Sequence, residues 1–208
     1  MIEITENALQ LLCAVYCVLI SIRHSDNLQK RSWTMLALAS GGFFLGDLYW
    51  QLYLVFYHDT PHYSYIPYLS WYASYLFLLL LIFEIREEHT PKVRNPFLWL
   101  IPAFTSGMCI FYLQWGDWIG NISAAVLMSF LMWYAAKGVM LSLKYEEYKK
   151  YLFFYILILA FCLLEYSSWT ISIFWMGDTF LNPYFWSDTM LSITFLFFPM
   201  ALRKAVEE

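Results

Sequence analysis

The sequence predicts an all-α polytopic membrane protein with seven transmembrane helices. Three observations support this fold class. First, 61% of the residues are hydrophobic and only 13% are charged, whereas soluble domains carry roughly 25% charged residues. Second, the chain contains seven apolar runs close to the length of about 20 residues that a bilayer core requires. Third, the basic residues are confined to alternate connections between these runs, which is typical of membrane topology.

The apolar runs are separated by short polar stretches such as "RHSDNLQKR" and "KYEEYKK". We interpret the first run as a membrane helix and not as a signal peptide, because the first seven residues carry two glutamates and no Lys or Arg, and no small-residue cleavage site follows. The fourth run is the least regular, since Pro102 and Gly107 interrupt it. The predicted helices are Ile4–Ile22, Ser32–Tyr57, Tyr65–Ile85, Pro96–Leu113, Trp118–Leu143, Tyr151–Met176 and Pro183–Leu202.

Orientation follows from the twelve Lys and Arg residues. All of them lie in or beside the first, third and fifth connections or at the C-terminal end, and none lies in the other three connections. Because basic residues in short loops remain cytoplasmic, we expect the N-terminus outside and the C-terminus in the cytoplasm. The predicted location is the plasma membrane, and we expect this to be the inner membrane of a bacterium.

The sequence also predicts a parallel internal repeat, in which two three-helix units of the same orientation are joined by one linker helix. Asp47 follows a basic pair by sixteen residues, and Glu165 follows a second basic pair by fifteen. The alternative is that the two halves are not a true repeat, because any two apolar helical hairpins resemble each other. Within a single domain of residues 1–208, the expected units are residues 1–88, a linker helix at 96–113 and residues 118–208.

Three of the acids within the predicted spans, Asp47, Glu165 and Asp188, are expected to form a ligand site. An Asp at the centre of a membrane helix costs about 2.5–3.5 kcal/mol on insertion scales, and such residues normally face the bundle interior at a functional site. The alternative is that protonated acids simply join helices by hydrogen bonds. The predicted ligand-binding residues are Asp47, Glu165, Asp188, Gln51, Trp50 and Trp169.

The chemistry of these positions favours a cation, a proton or a polar neutral ligand, because no Lys or Arg lies at the same depth. Nearby tryptophans would suit an organic cation. We expect no cofactor, no metal and no nucleic acid as partner, and no hydrolase or phosphate-binding motif indicates an enzyme. His58 and His62 flank Asp59 in one connection; a metal site there is the alternative to a solvated turn.

The segment "GDLYW…YIPYLSWYASYLFLLLLI" resembles the multi-helix membrane sensor regions that precede bacterial diguanylate cyclase and histidine kinase domains. Those regions pair an Asp…Trp helix with a helix that starts Pro-Ser-x-Ala-Asp-x-x-Tyr-Leu. The matching positions are Asp47, Trp50, Pro67, Ser70 and Tyr75, with Pro183 and Asp188 in the second half. The architecture is also similar to the layout of SWEET-like and KDEL-receptor-like membrane proteins.

Two functions are therefore expected. The first is a membrane-embedded small-ligand-binding or sensory module that relays a conformational change to a partner protein. The second is a small-solute or cation transporter with an acidic site at mid-membrane. Because no output domain follows "FPMALRKAVEE", we expect any signal to pass to a separate cytoplasmic or membrane effector. The sensor resemblance implies the same kind of relay.

Overall fold

The computed structural model describes residues 2–25, 29–58, 65–86, 91, 94–175, 177 and 179–207. Over these residues it contains seven α-helices, which confirms the predicted all-helical fold. A 3₁₀ turn at Pro96–Trp99 leads into α4, and another at Glu146–Tyr151 leads into α6. The helices are α1 (Ile2–His24), α2 (Lys30–Tyr57), α3 (Tyr65–Ile85), α4 (Leu100–Tyr112), α5 (Trp118–Lys144), α6 (Leu152–Phe174) and α7 (Pro183–Glu207).

Local signals set several helix ends. The Asp117 side chain accepts a hydrogen bond from the Gly120 amide at 2.7 Å and so caps the start of α5. Gly116 before it has φ +87°, a left-handed conformation that favours glycine. Pro102, expected to interrupt the fourth run, lies in the first turn of α4, where no backbone donor is lost from the helix.

Five of the described helices are long and apolar enough to cross a membrane, judged by length and composition. They are α1, α3, α5, α6 and α7. The chain is therefore consistent with a membrane protein. α2 has 28 residues but carries Asp47 and Gln51 among its apolar side chains, and α4 with its leading turn forms a shorter apolar unit, Pro96–Tyr112.

Six helices form a closed ring in the order α1, α2, α3, α5, α6 and α7, with α7 packed against α1. α4 packs against α5 and reaches α6 through Tyr112, whose hydroxyl is 3.1 Å from the Tyr166 carbonyl oxygen. We call the end of the bundle where α1, α3, α5 and α7 begin the upper end. The opposite end, where α1, α3, α5 and α7 terminate, is the lower end.

The middle of the ring is filled by aromatic side chains. Phe43 from α2, Phe161 from α6 and Phe195 from α7 contact one another, with ring centroids 4.7–5.8 Å apart. Phe198 packs below them, 6.1 Å from Phe161. These four residues, which we call the phenylalanine cluster, are at most 2% exposed. The bundle is therefore closed by packed rings between its two ends.

Two glycines let α2 and α3 approach closely. Gly42 and Gly46 are four residues apart, so they lie on one face of α2 in the small-residue arrangement that favours close contact of membrane helices. A Cβ placed on Gly42 would lie 3.0 Å from the Ser70 carbonyl oxygen, and one on Gly46 would lie 2.6 Å from Trp71 Nε1. These glycines fix the position of Trp71 relative to α2.

We predict that Gly42→Ala lowers the melting temperature of the purified protein in detergent. The added methyl group meets the backbone of α3, and such overpacking costs about 1–3 kcal/mol. Gly41→Ala is the matched control, because a Cβ there lies 3.9 Å from a Val18 side-chain carbon and alanine favours the helix. Equal melting temperatures of the two variants would contradict the close approach of α2 and α3.

Candidate functional site

A cavity of about 360 Å³ lies in the upper half of the bundle. Its size is in the range of small-molecule sites, about 300–1,000 Å³. Its floor includes Phe43 of the phenylalanine cluster, and its lining includes Trp115, Gly116 and Ser172, which are exposed. The cavity therefore leads from the centre of the bundle to the surface near the α4–α5 turn.

Asp47 lies on the wall of the cavity and is 3% exposed. One carboxylate oxygen, Oδ1, accepts a hydrogen bond from Trp71 Nε1 at 2.9 Å. The other, Oδ2, is buried and has no hydrogen-bond partner among the described residues. Burying a polar atom without a partner is costly, so this carboxylate has unused capacity for a donor or a cation.

Glu165 reaches the same cavity from α6, on the far side of the ring from α2. Its Oε1 accepts a hydrogen bond from the Tyr75 hydroxyl of α3 at 3.0 Å. Tyr75 is 1% exposed and its ring packs against Phe161 at 5.9 Å. A donor from a third helix thus holds the Glu165 carboxylate directly above the phenylalanine cluster.

Asp188 lines the cavity from α7, and Glu6 of α1 lies close enough to interact with it. Both residues are nearly inaccessible, at 4% and 2% exposure. Tyr184 of α7 lines the same cavity as Asp47, Glu165 and Asp188. Four acids from four helices therefore converge in one region.

The cavity walls are largely aromatic. Trp50 and Trp71 lie side by side with ring centroids 6.1 Å apart, and Trp169 packs edge-on against Tyr112 at 6.1 Å. No Lys, Arg or His is found among the described residues that line the cavity. Its nine aromatic residues are Phe43, Trp50, Tyr68, Trp71, Tyr72, Tyr112, Trp115, Trp169 and Tyr184.

Five of the six predicted ligand-binding residues line this cavity: Asp47, Glu165, Asp188, Trp50 and Trp169. Gln51 does not belong to the lining, because it turns toward α1. Its Nε2 is 3.4 Å from the Ile4 carbonyl oxygen. Gln51 lies one helical turn after Asp47. The face of α2 that lines the cavity nevertheless contains Asp47 and Trp50 and not Gln51.

Sequence reasoning missed the contribution of α1. Glu6 is buried beside Asp188, while Asn7 and Gln10 line the cavity. A signal was present, since Glu6 and Gln10 are four residues apart and Cys17 and Ser21 continue the same helical face. Asp117 at the cavity mouth was missed because it lies in a short connection and caps α5.

The histidine-containing connection is described only at His58; Asp59 and His62 lie outside the described residues. Among the residues the structure describes, no group of three or more His, Cys, Asp or Glu side chains is arranged to hold a metal ion.

Comparison with models of protein families gives no match, and neither curated proteins nor solved structures show significant similarity to this chain.

We predict that Tyr75→Phe lowers the free energy of unfolding by about 0.5–2 kcal/mol, because the buried Glu165 carboxylate loses its donor. The measurement is thermal or chemical unfolding of the purified protein in detergent. Tyr57→Phe is the control, since Tyr57 is 68% exposed near the end of α2. If both variants had the same free energy of unfolding as the unaltered protein, the hydrogen bond from Tyr75 to Glu165 would not contribute to stability.

Proposed function

We propose that this protein is a membrane-embedded ligand-binding module that senses a small molecule and relays a conformational change to a partner protein. The observation that carries the proposal is the shared cavity: Asp47, Glu165 and Asp188 come from three helices and line one space. If these acids only joined helices, each would be expected to be satisfied by a neighbour, but Asp47 Oδ2 has no described partner.

In this proposal all seven helices cross the bilayer, including α2 and the short α4. The upper end then faces outside, and the C-terminal end of α7 faces the cytoplasm. The distribution of basic residues supports this orientation. A bacterial inner membrane suits the proposal. Because the cavity reaches the surface at the upper end, a ligand would enter from the outer side of the membrane.

α7 is suited to carry the signal. It extends from Pro183 to Glu207 and contains Pro199 in its interior, where one backbone hydrogen bond of the helix is missing. Asp188 lies in the cavity, Phe195 belongs to the phenylalanine cluster, and Leu202 is fully buried near the lower end. A ligand that moves Asp188 would therefore shift packed side chains along the whole helix. The proposed partner recognises the lower end of the bundle.

The proposal predicts that a small-molecule library contains compounds that raise the melting temperature of the unaltered protein but not of Asp47→Asn or Glu165→Gln. Loss of a charged contact removes ligand stabilisation, which amounts to about 2.7 kcal/mol at a hundredfold excess over Kd. Glu146→Gln is the matched control, because Glu146 is exposed at the lower end and pairs with Lys149. Identical ligand responses in all four proteins would remove the acids from the site.

A second candidate is a transporter of small solutes or cations. The observation that favours it is the arrangement of α2 and α6. Phe43 and Phe161 each precede a cavity acid by four residues, and their rings meet at 5.8 Å. Such equivalent contacts between two three-helix units support the predicted parallel repeat, in which substrates bind at the repeat interface.

For the transporter, we predict uptake of radiolabelled choline into liposomes that contain the purified protein, and its loss in Asp47→Asn. The phenylalanine cluster must then open during each cycle, since it blocks the way to the lower end. Liposomes with the Glu146→Gln variant serve as the control for insertion and orientation. Choline binding without uptake would exclude choline transport and leave the sensory function in place.

A further inference from the structure

We propose that the ligand of the cavity is a neutral, planar heteroaromatic molecule with an amino group beside a ring nitrogen, and that Asn7 and Gln10 of α1 bind this edge. The inference rests on the proposed function and names the chemical class that the module senses. Two observations carry it. Two buried side-chain amides have no hydrogen-bond partner among the described residues, and aromatic rings stand on both sides of the space that these amides border.

Asn7 and Gln10 place two primary amides on one wall of the cavity. They are three residues apart in α1, so their side chains lie on the same face of the helix. The two residues are only 8% and 5% exposed. Because so little of either residue is open to the surroundings of the bundle, a partner for these amides would have to come through the cavity.

The capacity of both amides is unused within the described part of the chain. No hydrogen bond joins the side chain of Asn7 or Gln10 to any residue that the structure describes. Unlike Asp47 Oδ2, their polar atoms are not fully enclosed, and the cavity is the open space that both residues line. A primary amide offers two N–H donors and an acceptor oxygen, and leaving such groups unpaired inside a protein is costly. Both amides are therefore available to a ligand.

Aromatic rings form two separate groups around the cavity. In the first, Trp71 of α3 contacts Trp50 and Tyr68, with ring centroids 6.1 and 5.8 Å apart. In the second, Trp169 of α6 contacts Tyr112 at 6.1 Å. Among the described residues no direct ring contact joins the two groups, and all five rings line the cavity. Because aromatic rings favour offset-stacked or edge-to-face contacts with other rings, a flat aromatic ligand suits the space between them.

The polar groups of the lining indicate which edge the ligand presents. A carboxylate accepts hydrogen bonds, as Glu165 does from Tyr75, whereas the amides of α1 donate as well as accept. A matching ligand therefore carries several N–H donors and at least one acceptor. An amino group beside a ring nitrogen has this pattern, and it is the pattern that Asn and Gln bind with two hydrogen bonds in adenine.

The same amides argue against a simple cation. An ammonium group has donors and no acceptor, so it would leave the amide N–H groups of Asn7 and Gln10 unpaired. A metal ion such as Ca²⁺ would use only the amide oxygens, and no metal-binding cluster is found among the described residues. A neutral molecule with both kinds of group pairs with both ends of an amide and, being flat, also fits between the rings.

The test uses the full-length protein in detergent and two pairs of neutral probes. Adenine is compared with 6-methylpurine, and 2-aminopyrimidine is compared with 2-methylpyrimidine. Within each pair a methyl group replaces the amino group, so the shape and the aromatic surface are nearly retained while the N–H donors are lost. We expect each amino compound to bind at least about tenfold more tightly than its methyl counterpart, because a bidentate amide contact discriminates by about this factor or more.

Asn7→Leu and Gln10→Met remove the amides with little change in side-chain size. Each should weaken adenine binding by about tenfold or more and leave 6-methylpurine binding nearly unchanged. Without probe, both variants should melt at the temperature of the unaltered protein or above it, because an unpaired buried amide adds no hydrogen bond to the fold. A purely structural role would instead lower the melting temperature. Gln114→Met is the matched control, because Gln114 is exposed in the α4–α5 turn and lies outside the lining.

The comparison of amino and methyl compounds on the unaltered protein tests the inference even if an α1 variant does not fold. Equal affinities within both pairs, no binding of either amino compound, or undiminished adenine binding by both α1 variants would overturn it. The proposed function survives that result if library compounds still stabilise the protein in a way that depends on Asp47 or Glu165. It fails if no compound depends on either acid.

Discussion

Carboxyl groups buried inside an apolar ring of helices constrain how the helices of this protein can be arranged. Each buried acid must find a partner, because an uncompensated charge in such surroundings is expensive. Trp71 donates to Asp47, Tyr75 donates to Glu165, and Glu6 lies near Asp188. The helices that supply these groups are therefore fixed relative to one another by polar contacts in addition to packing.

Helix α3 links the two halves of the site. Trp71 contacts Asp47 of α2, Tyr72 donates to the Gly120 carbonyl oxygen of α5 at 2.9 Å, and Tyr75 crosses to Glu165 of α6. This is feasible only because Gly42 and Gly46 allow α3 to lie against α2 without intervening side chains. The close approach and the hydrogen bonds are thus parts of one arrangement.

The phenylalanine cluster divides the bundle into an upper and a lower part that differ in composition. Above it lies the cavity with the acids and tryptophans that line it. Below it lie buried aliphatic and aromatic side chains such as Leu36, Leu131 and Phe154. Packed interiors pass on displacements because they have few voids. In the proposed relay, a change in the upper half would reach the lower end through α7 and through the rings of Phe195 and Phe198.

Sequence patterns were enough to predict the all-helical fold and the approximate bounds of each helix, because long apolar runs with polar interruptions have few alternatives. They also identified Asp47, Glu165 and Asp188, since acids in apolar segments are costly and therefore conspicuous. Only the folded chain reveals that these three acids share a cavity, that Gln51 faces α1, and that Glu6 lies near Asp188. These facts depend on the rotation of each helix about its axis and on which helices are neighbours, and the composition of a single helix specifies neither. The roles of Trp71 and Tyr75 as donors were hidden for the same reason, since aromatic side chains are frequent throughout this chain and only their contacts distinguish them.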